Sequence, residues 1–218
     1  AGAVLVAKLS LGALAMGDRW FGGMTRNPWD VRQGSSGSSA GSASATAAGL
    51  VGFAIGSETL GSIVSPSRRC GTSALRPTFG RVSRAGCMPL SWTMDKIGPI
   101  TRSIQDCALV LAAIHGPDGV DRTVVDREFS WPVDLDFAEM RIGYTGRRRR
   151  GDGDEDSLPP VAAMLKSMGA TVEEIQLPSE LPVRAMTSVL DVESASMFEE
   201  LTNRHETEGL NVWPGIFR

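Results

Sequence analysis

The stretch Gly34-Ser35-Ser36-Gly37-Ser38-Ser39-Ala40-Gly41-Ser42-Ala43 decides how the rest of the chain is read. Taken alone, it describes either a flexible linker or a loop whose small residues let the backbone approach another group closely. A linker should lead to a domain boundary. This segment runs instead into Ala43–Leu50, alanine-rich and helix-prone, with a stop at Gly49. Val51–Ile55 then reads as a strand. Small residues just before a helix also leave backbone amides free to face a negative charge. Local physics leaves linker and functional loop both open.

A second glycine-serine element follows the strand, Gly56-Ser57-Glu58-Thr59-Leu60-Gly61-Ser62. Gly56 and Gly61 permit a sharp turn there. A serine in such a turn has its hydroxyl at a strand end, beside amides able to receive a developing oxyanion. Ordinary strand-to-helix turns use the same residue types, so spacing and context must decide.

Working outward, Ala3–Ala7 is apolar with two β-branched residues and reads as a buried strand. Ser103 and Asp106 form an N-cap pair opening a helix, with Ile104, Ala108, Leu111 and Ile114 at helical spacing. Arg141–Thr145 is expected as a strand, Leu158–Met168 as a helix closed by Gly169, and Ala170–Leu177 as a strand. Met186–Thr202 reads as one long helix. The alternation predicts a layered α/β domain around a largely buried sheet. The chain opens on a strand at Ala1 and stops just after Trp213-Pro214, so a piece of a longer enzyme is expected.

Composition narrows the chemistry. The 218 residues are 42% hydrophobic and 22% charged, with a net charge of −3. That mild acidity gives no pull towards nucleic acid or an anionic membrane. The basic run Arg147–Arg150 is followed by Asp152, Asp154, Glu155 and Asp156, the pattern of a solvated loop. No stretch reaches the roughly 18 apolar residues a membrane span needs. Ala1–Met16 is broken by Lys8 and Ser10 and has no basic leader, unlike a signal peptide. Cys70, Cys87 and Cys107 form no CxxC pair, which favours a reducing, cytoplasmic setting. His115 reads as a helix cap and His205 as a surface residue, so a hydrolase built from this chain works without histidine. No His/Cys cluster has zinc-ligand spacing, and no metal or organic cofactor is implied.

Four blocks, in order, carry a family resemblance. Gly37-Ser38-Ser39-Ala40-Gly41-Ser42-Ala43 is similar to G-S-S-G-G-S-A, and Ile55–Ile63 resembles L-G-T-D-T-G-G-S-I. Cys70–Ser83 resembles C-G-x-x-G-L-K-P-T-x-G-R-V-S, and Asp95–Ser103 matches D-x-x-G-P-x-x-R-S. These are the blocks of the amidase signature family, which includes the A subunit of glutamyl-tRNA amidotransferase. The resemblance implies an α/β amidase-signature fold: a mixed, mostly buried sheet covered by helices on both faces, here incomplete at both ends. It implies one partial domain over residues 1–218, with the core signature region at 1–126 and a loop and peripheral α/β part at 127–218.

The resemblance also implies a Ser–Ser–Lys relay whose serines stand 24 positions apart, as Ser38 and Ser62 do. Ser62 is then the nucleophile and Ser38 the bridging serine, on a cis peptide bond. Thr59, Leu60, Gly61 and Ser62 supply the oxyanion hole. Of the three lysines, Lys8 matches a different family lysine, so the catalytic lysine is expected upstream of Ala1 and this piece is expected to be inactive alone. Leu60 stands where glycine or a small residue is usual and is expected to narrow the pocket. Glu58 replaces a common aspartate. Val64 replaces an arginine, which points to a neutral or differently anchored amide. The expected activity is hydrolysis of linear C–N amides of small molecules, alone or as a homodimer. The alternatives are a glutaminase subunit with amidotransferase partners and an inactive scaffold.

Overall fold

The computed structural model describes residues 2–131, 134–145, 159–182 and 185–204. The chain divides into two compact units, one of Ala1–Trp131 with Ala185–Arg218 and one of Pro132–Arg184. Arg147–Arg150 and the acidic residues after it, and His205, lie outside the described residues.

The first unit opens without regular structure to residue 12, followed by a 3-10 turn at Ala13–Ala15. The buried strand expected at Ala3–Ala7 is not formed: Val4, Leu5 and Val6 are exposed. A strand requires a hydrogen-bonding neighbour, and among the described residues none pairs with it. Two short antiparallel hairpins come next, β1 (Arg19–Trp20) with β2 (Gly23–Met24), and β3 (Arg26–Asn27) with β4 (Asp30–Gly34).

Helix α1 spans Ala40–Ala47, three residues earlier than its alanine content suggests. β5 spans Phe53–Glu58 and α2 spans Val64–Cys70. α2 ends on Gly71 in the left-handed conformation, where glycine carries no Cβ penalty. Trp29 Nε1 and Asn27 Nδ2 cap its last turn by donating to the carbonyls of Cys70 (2.6 Å) and Arg69 (3.1 Å). β6 (Ser73–Ala74) and β7 (Lys96–Thr101) complete an antiparallel sheet of order β5-β7-β6. α3 (Ile104–Ile114) starts where predicted, with the Asp106 amide donating to Ser103 Oγ.

Residues alternate sides along β7, and this explains the layering. Ile100 packs with Ala43 of α1, Ile63 and Cys70 on one face. Ile97, on the other face, packs with Val82 and with Leu111 of α3. The central sheet is thus covered by helices on both sides, within a mixed α/β fold. Ile63 and Ile100 are fully buried, contributing roughly 1.5–3 kcal/mol each.

α5 (Ala185–Met197) and α6 (Glu199–Asn203) belong to the same unit. The single helix expected there is broken at Phe198, whose non-helical backbone lets its ring pack beside Leu14, Leu90 and Leu201. The second unit holds β8 (Arg141–Tyr144), α4 (Pro160–Ser167) and β9 (Thr171–Glu174), with β8 and β9 paired in parallel.

Candidate active site

The site is built from the 35–42 loop, the end of β5 and the turn that follows it. The Gly37–Ser38 peptide bond is cis. The loop lies on the strap formed by residues 10–17. Gly12 N–H donates to the Ser38 carbonyl (2.9 Å), and Gly41 N–H to the Ser10 carbonyl (2.8 Å). Ser36 N–H is taken by the Asp18 carboxylate at 2.8 Å. The contacts are close enough to require glycine. A Cβ at Gly37 would lie 1.8 Å from the Gly17 carbonyl oxygen, and one at Gly41 would lie 2.5 Å from Ser10 N. The glycine-serine stretch is therefore a packed loop; Ser38, Ser39 and Ala40 are almost wholly buried.

Three hydrogen bonds fix this loop to the β5 turn. Ser39 Oγ donates to the Ser57 carbonyl (3.0 Å), Ser57 N–H donates back to Ser39 Oγ (3.1 Å), and Ser39 N–H reaches the Ser62 carbonyl (3.1 Å). Ser42 Oγ, one helical turn on, donates to the Ile55 carbonyl at 2.9 Å. Ser38 and Ser62 consequently open onto one cleft of about 1140 Å³, whose walls include Thr59, Ser57, Ile55, Met88 and Trp92. Ser38 is 1% exposed and Ser62 9%. Among the described residues, the buried Ser38 hydroxyl has no hydrogen-bond partner.

The turn carrying Ser62 is organised by Glu58, whose side chain is fully buried. Its carboxylate accepts from the N–H groups of Ile63 (2.7 Å) and Val64 (3.0 Å) and from Arg76 Nη1 (2.9 Å). Burial raises the Glu58 pKa. The Val64 amide, the Arg76 guanidinium and the Ile63 and Gly61 amides together outweigh it, holding the group below the ordinary glutamate value. Gly61 has φ +93, a conformation that favours glycine. Leu60, expected to narrow the pocket, is largely exposed and is absent from the cleft wall, as is half-exposed Val64.

Beneath the turn, Thr59 Oγ1 donates to Asp95 Oδ1, while Asp95 Oδ2 accepts from Leu90 N–H (2.8 Å) and Ser91 N–H (3.0 Å). Lys96 Nζ donates to the Thr59 carbonyl (3.1 Å) and to the Met94 carbonyl. Of the other lysines, Lys8 is exposed and borders the cleft, and Lys166 lies on α4 in the second unit. The opposite wall is secured by Arg84, whose guanidinium lies over the Phe79 ring and donates to the Trp92 carbonyl and to Thr123, with Nε facing Asp121 at 3.4 Å. Glu193 of α5, 5% exposed, accepts from Ser91 Oγ and from Thr93 N–H and Oγ1. Sequence reading singled out neither Lys96 nor Glu193. Lys96 falls at an unspecified position of a motif, and Glu193 acts across about a hundred residues.

No group of three or more His, Cys, Asp or Glu among the described residues is placed to hold a metal ion. The three cysteines are free. Among the described residues no helix is long and apolar enough to cross a membrane.

The chain is similar to several known proteins. The A subunit of glutamyl-tRNA(Gln) amidotransferase from Moorella thermoacetica is 39% identical over 207 residues, covering 90% of this chain and 42% of that protein. The Geobacillus stearothermophilus protein of the same name is 41% identical over 188 residues, covering 82% and 39%. Among solved structures, native peptide amidase from Stenotrophomonas maltophilia superposes with a TM-score of 0.74 at 34% identity, over 94% of this chain and 46% of that one. The glutamyl-tRNA(Gln) amidotransferase protein of the same type from Thermotoga maritima superposes equally well, at 31% identity over 94% and 49%. The chain spans about half the length of these relatives, or somewhat less. The family model named Amidase matches residues 1–213, and with the serine loop, the β5 turn and their mutual hydrogen bonds this leads to one conclusion: the chain belongs to the amidase family.

Proposed function

We propose that the protein containing these residues is an amidohydrolase that cleaves linear C–N amide bonds through a serine acyl-enzyme. The observation that carries this reading is the joining of Ser38 and Ser62 on one cleft, with the Ser38 hydroxyl buried and unpartnered among the described residues. Ser62 Oγ attacks the amide carbonyl while its proton passes to Ser38, and the Ser38 proton passes to a neutral lysine. The oxyanion is received by backbone amides of the Thr59–Ser62 turn, with Leu60 and Ser62 as donors and Gly61 excepted because its amide faces the Glu58 carboxylate. The lysine returns the proton through the serines to the departing nitrogen. Ammonia or an amine leaves, and water then hydrolyses the Ser62 ester to free the acid.

We assign the base to sequence preceding residue 1. Lys96 is committed to two carbonyls. Lys8 borders the cleft but corresponds to a different family position. The 218 residues alone are accordingly expected to be inactive. The substrate is a small amide that is neutral or anchored other than through position 64, because Val64 supplies no charge. Free cysteines suit a reducing, cytoplasmic setting.

A second reading keeps the chemistry and changes the role. The curated relatives named above are amidotransferase A subunits, so the ammonia would pass to partner subunits instead of to solvent. The test is ammonia release from a panel of primary amides, glutamine included, by the full-length protein and its Ser62→Ala and Ser38→Ala variants. Loss in both variants supports the relay. Turnover of glutamine alone, with a co-purifying second subunit, favours the amidotransferase role. Full activity in Ser62→Ala would overturn the nucleophile assignment.

A further inference from the structure

Lys96 lies at the first position of β7, opposite Glu58 in the sheet register. Its side chain runs forward to the next residue of the turn and donates to the Thr59 carbonyl at 3.1 Å. The Thr59–Leu60 peptide is trans, because among the described residues the cis bond is Gly37–Ser38. In a planar trans peptide the carbonyl and the following N–H point in opposite directions. Whatever fixes the Thr59 carbonyl therefore fixes the direction of the Leu60 N–H. Among the described residues no protein group accepts from the amides of Leu60 or Ser62, whereas the Gly61 amide faces the Glu58 carboxylate.

We propose that Lys96 is a positioning residue for the oxyanion hole, holding the Thr59 carbonyl so that the Leu60 N–H is turned to the side on which Thr59 and Ser62 line the cleft. The proposal rests on the serine amidohydrolase reading. Asp95 completes the clamp by taking the Thr59 hydroxyl, so both polar ends of Thr59 are tied to one dipeptide. A cation on the carbonyl oxygen also polarises the peptide and strengthens its N–H as a donor. Lys96 is held below the ordinary lysine range, chiefly by burial, with the nearby Glu58 carboxylate working the other way. Lys96 is absent from the cleft wall, which its neighbours Asp95 and Ile97 line, so it acts through the Thr59 carbonyl. The position demands a donor that reaches about one residue forward.

The test uses the full-length protein and the primary amide it hydrolyses fastest. Lys96→Met is expected to lower kcat by on the order of 10–100-fold with KM changed less than about twofold. Affinity for an aryl boronic acid, which forms a tetrahedral adduct on a serine nucleophile, should fall by a similar factor. Binding of the carboxylic acid product should not change. Lys96→Arg should recover most of the loss, and Lys96→Gln, an uncharged donor, part of it. Should Lys96→Met fail to fold, Lys96→Gln against Lys96→Arg carries the same comparison. Unchanged kcat, or a loss shared equally by product binding, overturns the positioning role. Labelling of Ser62 by a fluorophosphonate separates the two ideas. An unlabelled wild type sinks the serine reading itself, while a labelled wild type with unchanged Lys96 variants sinks only the role of Lys96.

Discussion

Ser39 and Ser57 exchange two hydrogen bonds through a single hydroxyl, Oγ donating to the Ser57 carbonyl and accepting its N–H. The residue after the proposed bridging serine is thereby locked to the strand that leads into the proposed nucleophile. The 24-residue spacing of Ser38 and Ser62 acquires a physical meaning: it is the length of chain needed to form α1, return along β5 and close this contact.

Removal of either hydroxyl should abolish turnover without unfolding the protein. Ser62→Ala is expected to lower kcat at least ~1000-fold and Ser38→Ala by ~100–10,000-fold. Ammonia assays beside thermal melts check this. A melting temperature lowered in step with activity would mean that the hydroxyls serve packing instead.

Glu58 should matter through the turn it gathers. Glu58→Gln keeps the volume but leaves buried amides and Arg76 poorly matched, for a loss of about 1–3 kcal/mol. The pH dependence follows from the sign of its shift. Because its folded-state pKa is depressed, the stabilisation is complete above the ordinary glutamate range and is lost as pH falls through the folded value. Urea titrations across acidic pH should show wild type losing stability on acidification, with a smaller slope for Glu58→Gln.

Gly41→Ala is expected to force the 35–42 loop off its strap. The added methyl would meet Ser10 backbone and hydroxyl atoms at 2.5–2.8 Å, an overpacking worth about 1–3 kcal/mol. Activity should drop more than that destabilisation explains, since Ser38 moves with the loop. Native stability and turnover measured together would refute the close approach.

Glu193→Ala should free the 90–95 segment from α5. Three donors from Ser91 and Thr93 would lose their acceptor, and limited proteolysis should cut there faster. Because Asp95 gathers the same segment, KM should rise as the cleft wall loosens.

Much of this was legible in the residues. α3 begins at the Ser103 cap because a side-chain acceptor three residues before an acidic position is a local signal. α2 escaped reading because Pro66 and a polar run hide a short helix whose end is capped from Trp29 and Asn27, far back in the chain. β7 escaped because Gly98 and Pro99 argue against a central strand, yet it is central. Ala3–Ala7 failed in the other direction, since apolar β-branched residues satisfy the pattern of a strand without supplying its neighbour. Motif spacing pointed to Ser38 and Ser62, which line one cleft. Lys96 and Glu193 act through long-range contacts that no local pattern records.

The strap at residues 10–17 has a consequence for the order of assembly. The site requires that strap, the 35–42 loop, the β5 turn and the Asp95-Lys96 pair to meet, so its geometry depends on closures spanning up to about eighty residues, whose entropic cost precedes any reward. Helices α1 and α3 need only their neighbours. In the full-length protein, amide turnover should therefore appear after most helical signal on refolding, and under mild denaturant it should vanish first.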